Sequence, residues 1–438
     1  LIVGQLVCGL AAATIVPTLV VLIANNYRGK QQATALGMLG SVQAAATVTA
    51  FFMAGVIGDW LGWRYAFGLV IPFTFIVLVL AGKLKPIDPL PGIKIDFVGV
   101  LLAASAIILV SFGFNNLNRW GLLTAGPNAP FDILGLSPAT LMIVAGVIGL
   151  QLFLAWTQKR EAAKLTPLLS LEVVDSRQER GAAFAMAMIV VLGNAMTFLA
   201  PLYIQMVQGR SSFDTAVAMI PYQLAVFTAA MLVVRYYQTY NPVQIARAAF
   251  SLVGVGMAVL SVVMFNEWSN IFVVLGLIMV GIGQGALVTL LFNVLVTSSP
   301  TERAGDVGAL RGTVNNLSAG VGTALAGALV VGILSVNIHK AVVDHPELPP
   351  SLVEQVNLDN LTFISNDRLE TAMAATTATP EQVKAAAQVN ADARLRALKL
   401  TFWILSLLSF LMIIPARMLP SYRPGELPPG PQPQGKPA

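Results

Sequence analysis

The chain has 438 residues, 56% of them hydrophobic and 11% charged, with a mean hydropathy of +0.76. That balance excludes a protein folded around an aqueous core and describes one most of whose surface lies in lipid. A formal charge of +5 would suit nucleic acid, but Lys and Arg sit in short connections between apolar runs, where membrane orientation accounts for them; no nucleic-acid partner is expected.

Eleven apolar runs are long enough to cross about 30 Å of hydrocarbon: 1–24, 33–58, 65–82, 97–114, 139–156, 182–207, 215–234, 245–265, 271–296, 307–336 and 397–414. They are continuous rather than alternating, and a helix satisfies its own backbone in lipid, so an all-α membrane protein with eleven transmembrane helices is predicted. The first run, "LIVGQLVCGLAAATIVPTLVV", carries no charge before Arg28 and no initiator methionine. Lacking a basic leader segment, it reads as a spanning helix rather than a signal peptide, and the chain is expected to be cut within a longer membrane protein. The lone Cys8 has neither a disulfide partner nor metal-binding company.

The distribution of positive charge predicts orientation. Seventeen Lys and Arg residues fall in one set of connections and the tail, among them Lys83, Lys159 and Arg235. Only Arg64, Arg119 and Arg210 fall in the alternate short connections. The richer set is expected to be cytoplasmic, together with the C-terminus, which places the protein as a multi-pass component of the cell (inner) membrane. An outer loop over 337–396 is long enough to need structure of its own. Ser351 with Glu354 and Thr379 with Gln382 fit capping boxes, and Pro380 suits a first helical position, so the second helix is expected to run into the last span. The Pro-rich end, 420–438, is expected to be a disordered tail.

Neither catalysis nor a cofactor is indicated. His339 and His345 both fall in the outer loop, no metal-ligand spacing occurs within a span, and no enzyme activity, metal or cofactor is expected. The carboxylates all read as helix-end or loop residues, including Asp59, Asp96, Asp214, Glu267 and Asp306, so the usual proton relay of a carrier is missing from the spans. The intramembrane polar groups are amides and hydroxyls instead. Gln43 and Thr47 share a helix face with Gly40 and Ala50, and Arg311, Asn315, Ser318 and Gly322 share another. With Asn194, Gln223 and Gln284, these are the candidate substrate-pathway residues. Gln284 and Asn293 lie half a revolution apart, so one of them is expected to bond to a neighbouring helix. Gly281 with Gly285, and Gly308 with Gly312 followed by Gly320, read as seams for close helix packing, with Asn316 on the second seam.

Four stretches carry a resemblance. "GDWLGWRYAFGLVIP", "GLAAATIVPTLVVLIANNY", "PLYIQMVQGRSSFDTAVAMIP" and "TERAGDVGALRGTVNNLSAGVGTALAG" resemble helix junctions of the major facilitator superfamily, in particular its fourteen-helix drug:proton antiporter branch. On that resemblance the eleven runs are helices four to fourteen, and the first three helices are absent. It implies a remainder of the N-terminal bundle over 1–82, two additional central helices with cytoplasmic linkers over 83–181, and a C-terminal six-helix bundle over 182–419. The chain departs from the branch where the fourth helix usually carries Arg and this chain has Gln5. It departs again at the antiporter motif G-P-x-x-G-G, which here reads Ala50, Phe51, Phe52, Met53, Ala54, Gly55 and keeps only the last glycine.

The resemblance implies a secondary transporter, a proton-coupled exporter of small amphipathic or hydrophobic compounds working by alternating access. The expected partners are the lipid bilayer and a small-molecule substrate, with protons as a candidate co-substrate and a monomer as the assembly. Two alternatives stay open, an uncoupled facilitator for a polar metabolite and a transport-inactive sensor or scaffold. For the topology, cysteines replacing Lys83, Lys159 and Arg235 are expected to escape an impermeant thiol reagent in intact cells, while cysteines replacing Arg119 and His339 label. Labelling at position 159 from outside overturns the orientation.

Overall fold

A computed structural model describes residues 2–27, scattered positions between 31 and 60, 61–68, 70–83, 95–121, 123–126, 128–171, 176–237, 239–265, 271–298, 304–344, 369–371, 373 and 379–421. Its helices are α1 (Ile2–Asn26), α2 (Trp63–Gly68), α3 (Val70–Ala81), α4 (Phe97–Trp120), α5 (Pro138–Ala162), α6 (Arg177–Leu202), α7 (Ser212–Tyr236), α8 (Pro242–Val263), α9 (Ile271–Ser298), α10 (Ala304–Asp344) and α11 (Pro380–Leu411). Among the described residues nine helices are long and apolar enough to cross a membrane, and there is no strand beyond isolated bridges in the turn before α5. The all-α membrane fold follows. Of the two remaining apolar runs, 65–82 coincides with α2 and α3, and 33–58 falls mostly outside the described residues. Also outside them are Asp59, Glu267, His345, Ser351 with Glu354, and 422–438.

Local chemistry sets where the helices start. Ser176 with Glu179, Ser211 with Asp214, Asn241 with Gln244 and Thr379 with Gln382 all form reciprocal capping boxes, so two otherwise orphaned N–H groups are satisfied at each start. The Thr379 box opens a helix of 32 residues that runs uninterrupted into the last apolar run, as its sequence indicates. One placement needs correction. Asp392 and Arg394 lie in the expected helix, but α10 continues to Asp344, past the point at 337 where the outer loop is expected to begin.

Pro201 lies within α6, and the next turn, Tyr203–Val207, is π-helical. A wider turn leaves a carbonyl without its usual partner, and here the buried Arg394 donates through Nη1 to the Met206 carbonyl at 2.7 Å. Tyr203 closes the same end by donating to the Phe265 carbonyl at 2.7 Å.

One buried apolar cluster joins α6, α7, α8, α9, α10 and α11, and takes in Val20 of α1. Hydroxyls tie α8 to α11 at successive levels. Ser406 donates to the Gly254 carbonyl at 2.7 Å, Ser409 to the Phe250 carbonyl at 2.8 Å, and Ser261 to the Lys399 carbonyl at 2.8 Å. Such bonds hold helices together where lipid supplies no hydrophobic drive for association.

The pair α4 and α5 forms a separate unit whose helices approach closely at Gly113 and Gly146; α4 also touches α10. At one end the pair is clamped by Asp96, the N-cap of α4. Its carboxylate accepts from the Gly99 N–H at 3.0 Å and from Trp156 Nε1 at 3.1 Å, and lies 3.4 Å from Arg160 Nε of α5. Burial by itself would raise this carboxyl, but the hydrogen bonds from Gly99 and Trp156 and the Arg160 charge outweigh it and hold Asp96 below the usual carboxylate range. A lowered folded-state pKa stabilises the fold above the unfolded carboxylate pKa, about 3.9, and this contribution is lost as pH falls through the folded value. Asp96→Asn is therefore expected to cost about 1–2 kcal/mol at neutral pH, seen as a lower melting temperature in detergent, with the gap to wild type closing as pH falls below about 4.

Candidate functional site

The site is built on a seam between α7 and α9. A Cβ at Gly281 would stand 2.5 Å from the Tyr222 carbonyl and 2.9 Å from Ala225 Cβ, and one at Gly285 would collide with the Val226 backbone. The two glycines thus let the helix backbones touch, as their four-residue spacing indicates. On the turn between them stands Gln284. Its side chain fills the notch left by Gly193 of α6, and its Oε1 accepts a hydrogen bond from the Tyr222 hydroxyl of α7. Three helices therefore meet at one amide.

From Gly193 the polar path continues to α10. Asn194 donates through Nδ2 to the Val190 carbonyl at 2.9 Å, and a Cβ built on Gly322 would come within 3.1 Å of its Cβ. One turn before Gly322 is Ser318, 6% exposed; Asn315 is half-buried, and Arg311 is 8% exposed. The Arg311 guanidinium lies over the Phe292 ring of α9, 3.9 Å from its centroid, which is a cation–π contact. A charge facing lipid would be costly, and this placement keeps Arg311 inside the bundle. Nearby on α9 the Thr289 hydroxyl is buried and has no hydrogen-bond partner among the described residues.

Asn194 and Gln284 are drawn to the two sides of Gly193, and Arg311, Asn315 and Ser318 continue along the face of α10 that meets α6 at Gly322. Gln223 is buried on α7 but turned about 100° from Tyr222, away from the amide contact. Gln43, Thr47, Phe51, Ala54 and Gly55 lie outside the described residues; Ala50 is exposed.

The expected seam at Gly308, Gly312 and Gly320 needs correction. A Cβ at Gly312 or Gly320 meets nothing within 4 Å, and Asn316 is exposed, donating to the Gly312 carbonyl at 2.9 Å. At Gly312 and Gly320 the seam is therefore open, whereas Gly308, on the same row, is buried. Tyr222 and Phe292 are the residues that sequence reasoning missed. Their signal was weak, since an aromatic within an apolar span reads as packing, and only adjacency to Gln223 and Asn293 marked them.

The arrangement supplies neutral donors and acceptors within apolar walls, suited to holding a solute by hydrogen bonds and apolar contact. Among the described residues no group of His, Cys, Asp and Glu could hold a metal. Gln284→Leu leaves the buried Tyr222 hydroxyl without its acceptor and is expected to cost about 1–3 kcal/mol of stability. Combined with Tyr222→Phe the loss is expected to fall short of the sum of the single losses, by at least about 0.5 kcal/mol in a double-mutant cycle read from unfolding in detergent.

Comparison with known proteins finds that the family described as Major Facilitator Superfamily matches residues 1–323. An uncharacterized MFS-type transporter of Mycobacterium tuberculosis is 28% identical over 59% of this chain and 42% of its own length. The drug efflux pump JefA of Mycobacterium tuberculosis is 24% identical over 84% of this chain and 70% of its own. The methylenomycin A resistance protein of Bacillus subtilis is 22% identical over 75% of this chain and 68% of its own. Among solved structures, a bacterial homolog of the human lysosomal transporter Spinster is similar over 93% of this chain and 86% of that one, at 13% identity. The TM-score between the two is 0.38.

Proposed function

This chain belongs to the Major Facilitator Superfamily, and we propose that it is a secondary transporter of the drug:proton antiporter branch, exporting small amphipathic or hydrophobic compounds by alternating access. It is a multi-pass membrane protein, and the family is one of transporters rather than enzymes. The observation that carries the reading is the neutral Tyr222–Gln284 pair set against Gly193 at a junction of apolar helices. Amides and a phenol in apolar surroundings suit solutes with a large apolar body and a few polar groups. The efflux and resistance proteins among the relatives support the same substrate class. The inner membrane as location, a cytoplasmic C-terminus and a monomeric state belong to this proposal.

One observation favours the second reading, an uncoupled facilitator. Antiport needs a group that exchanges a proton as the cavity alternates, and a mid-membrane carboxyl is the usual one. Among the described residues Asp214 and Asp306 lie in the first turns of α7 and α10, and Asp392 lies exposed in the part of α11 before its apolar run. Asp306 is the one nearest Arg311 in sequence.

Transport into inverted vesicles, with and without an imposed pH gradient, separates the readings. The antiport reading expects accumulation of a hydrophobic dye to follow the gradient, with Asp306→Asn retaining that dependence because Asp306 serves the helix start. Dye movement that ignores the gradient replaces antiport with facilitation, and absence of dye movement removes the transport reading.

A further inference from the structure

A cavity of about 600 Å³ lies between α7, α8 and α9, on the other side of α9 from the polar cluster. On α9 it is lined by Ile282, Gly283 and Ala286, which centre about 150° around the helix from Gln284. Its walls are recessed because the lining residues at the helix contacts are small. At the floor, a Cβ on Gly283 would meet the Ala249 carbonyl at 2.6 Å, so the two backbones already touch there. The groove runs from Thr228 to Tyr236 along α7, about 12 Å at 1.5 Å per residue, and ends where α7 turns into α8.

The mouth differs chemically from the floor. Tyr236 and Tyr240 stand there, both exposed, with ring centroids 6.4 Å apart, as aromatic side chains do at a membrane boundary. Beside them are two exposed arginines. Arg235 follows Leu232 by three residues and Thr228 by seven, which puts it at the outer edge of the stripe of α7 that lines the groove. Arg247 follows Gln244 by three residues and precedes Ala248, both of which line the groove on α8. Neither arginine belongs to an ion pair among the described residues, and the sequence from 215 to 266 contains no Asp or Glu.

We propose that this groove binds one acyl chain of an anionic phospholipid, with its phosphate held between Arg235 and Arg247. The occupant is singled out by two features together. An apolar slot about 12 Å deep that opens at the membrane boundary fits a chain lying along the helices, and two guanidiniums on helices that carry no Asp or Glu over 215–266 call for an anion. A zwitterionic lipid would fill the slot equally well but would bring a positive group back to the arginines. A hydrophobic cation, the other amphiphile such a slot admits, would be repelled at the mouth.

The test uses purified protein in mild detergent, supplied with phosphatidylglycerol or phosphatidylcholine of identical chains, with bound lipid counted by native mass spectrometry. Wild type is expected to retain one phosphatidylglycerol at least about fivefold better than phosphatidylcholine. Arg235→Gln with Arg247→Gln is expected to erase that preference while chain binding persists. Ala248→Phe, at an exposed position where added bulk fills the groove and not the core, is expected to abolish binding of the first lipid of either class. Equal retention of the two lipids by wild type, or a preference that survives both sets of substitutions, overturns the proposal. So does displacement of the bound lipid by a hydrophobic cation at micromolar concentration, which would make the groove a solute path. The readout is lipid binding and does not depend on whether the protein transports anything.

Discussion

Backbone contact between helices at Gly281, Gly285 and Gly322 is the constraint on which the interior depends. Lipid gives two helices no hydrophobic reason to associate, so they must gain by packing closely, and closeness is limited by the side chains between them. At Gly281 and Gly285 that limit is removed, and α9 meets the carbonyls of α7 directly. Gln284, carried on the turn between the glycines, is thereby pressed into the notch at Gly193 and reaches the Tyr222 hydroxyl. A methyl group at Gly285 would push the backbones apart and undo the amide contact with them.

The polar groups of the bundle divide into two kinds by what they bond. The serines on α8 and α11 donate to backbone carbonyls of the facing helix and join two helices without presenting anything to a solute. Gln284 and Tyr222 bond side chain to side chain, an exchangeable arrangement, because a solute that offers its own donor or acceptor can replace either partner. Arg311 is of neither kind. Its guanidinium lies over the Phe292 ring within the bundle, a cation–π contact.

Two other charged side chains are put to structural use. Asp96 caps α4 and at the same time receives Trp156 and Arg160 from α5, so one carboxylate sets both the start of a helix and the registry of the pair. Arg394 supplies the donor that the π-helical turn after Pro201 requires. At the boundary between α7 and α8, Arg235 and Arg247 belong to no ion pair among the described residues, and it is there that the anionic lipid is proposed.

Much of this was legible without a fold. Apolar runs of about 20 residues had to be helices because the backbone has no other way to satisfy itself in lipid. Helix starts such as Thr379 with Gln382 were readable because a capping box is closed within four residues and needs nothing from the rest of the molecule. The amides and Arg311 could be picked out as residues too polar to face lipid. What could not be read was which of two like patterns would find a partner. Gly281 with Gly285 and Gly308 with Gly312 have the same spacing, yet the first pair lies against α7 while Gly312 faces open space. Nor could Tyr222 be joined to Gln284, 62 residues away. Periodicity and capping are properties of a few neighbouring residues, and the sequence alone determines them. The meeting of two helix faces depends on where every other helix has packed, and only the tertiary structure decides it.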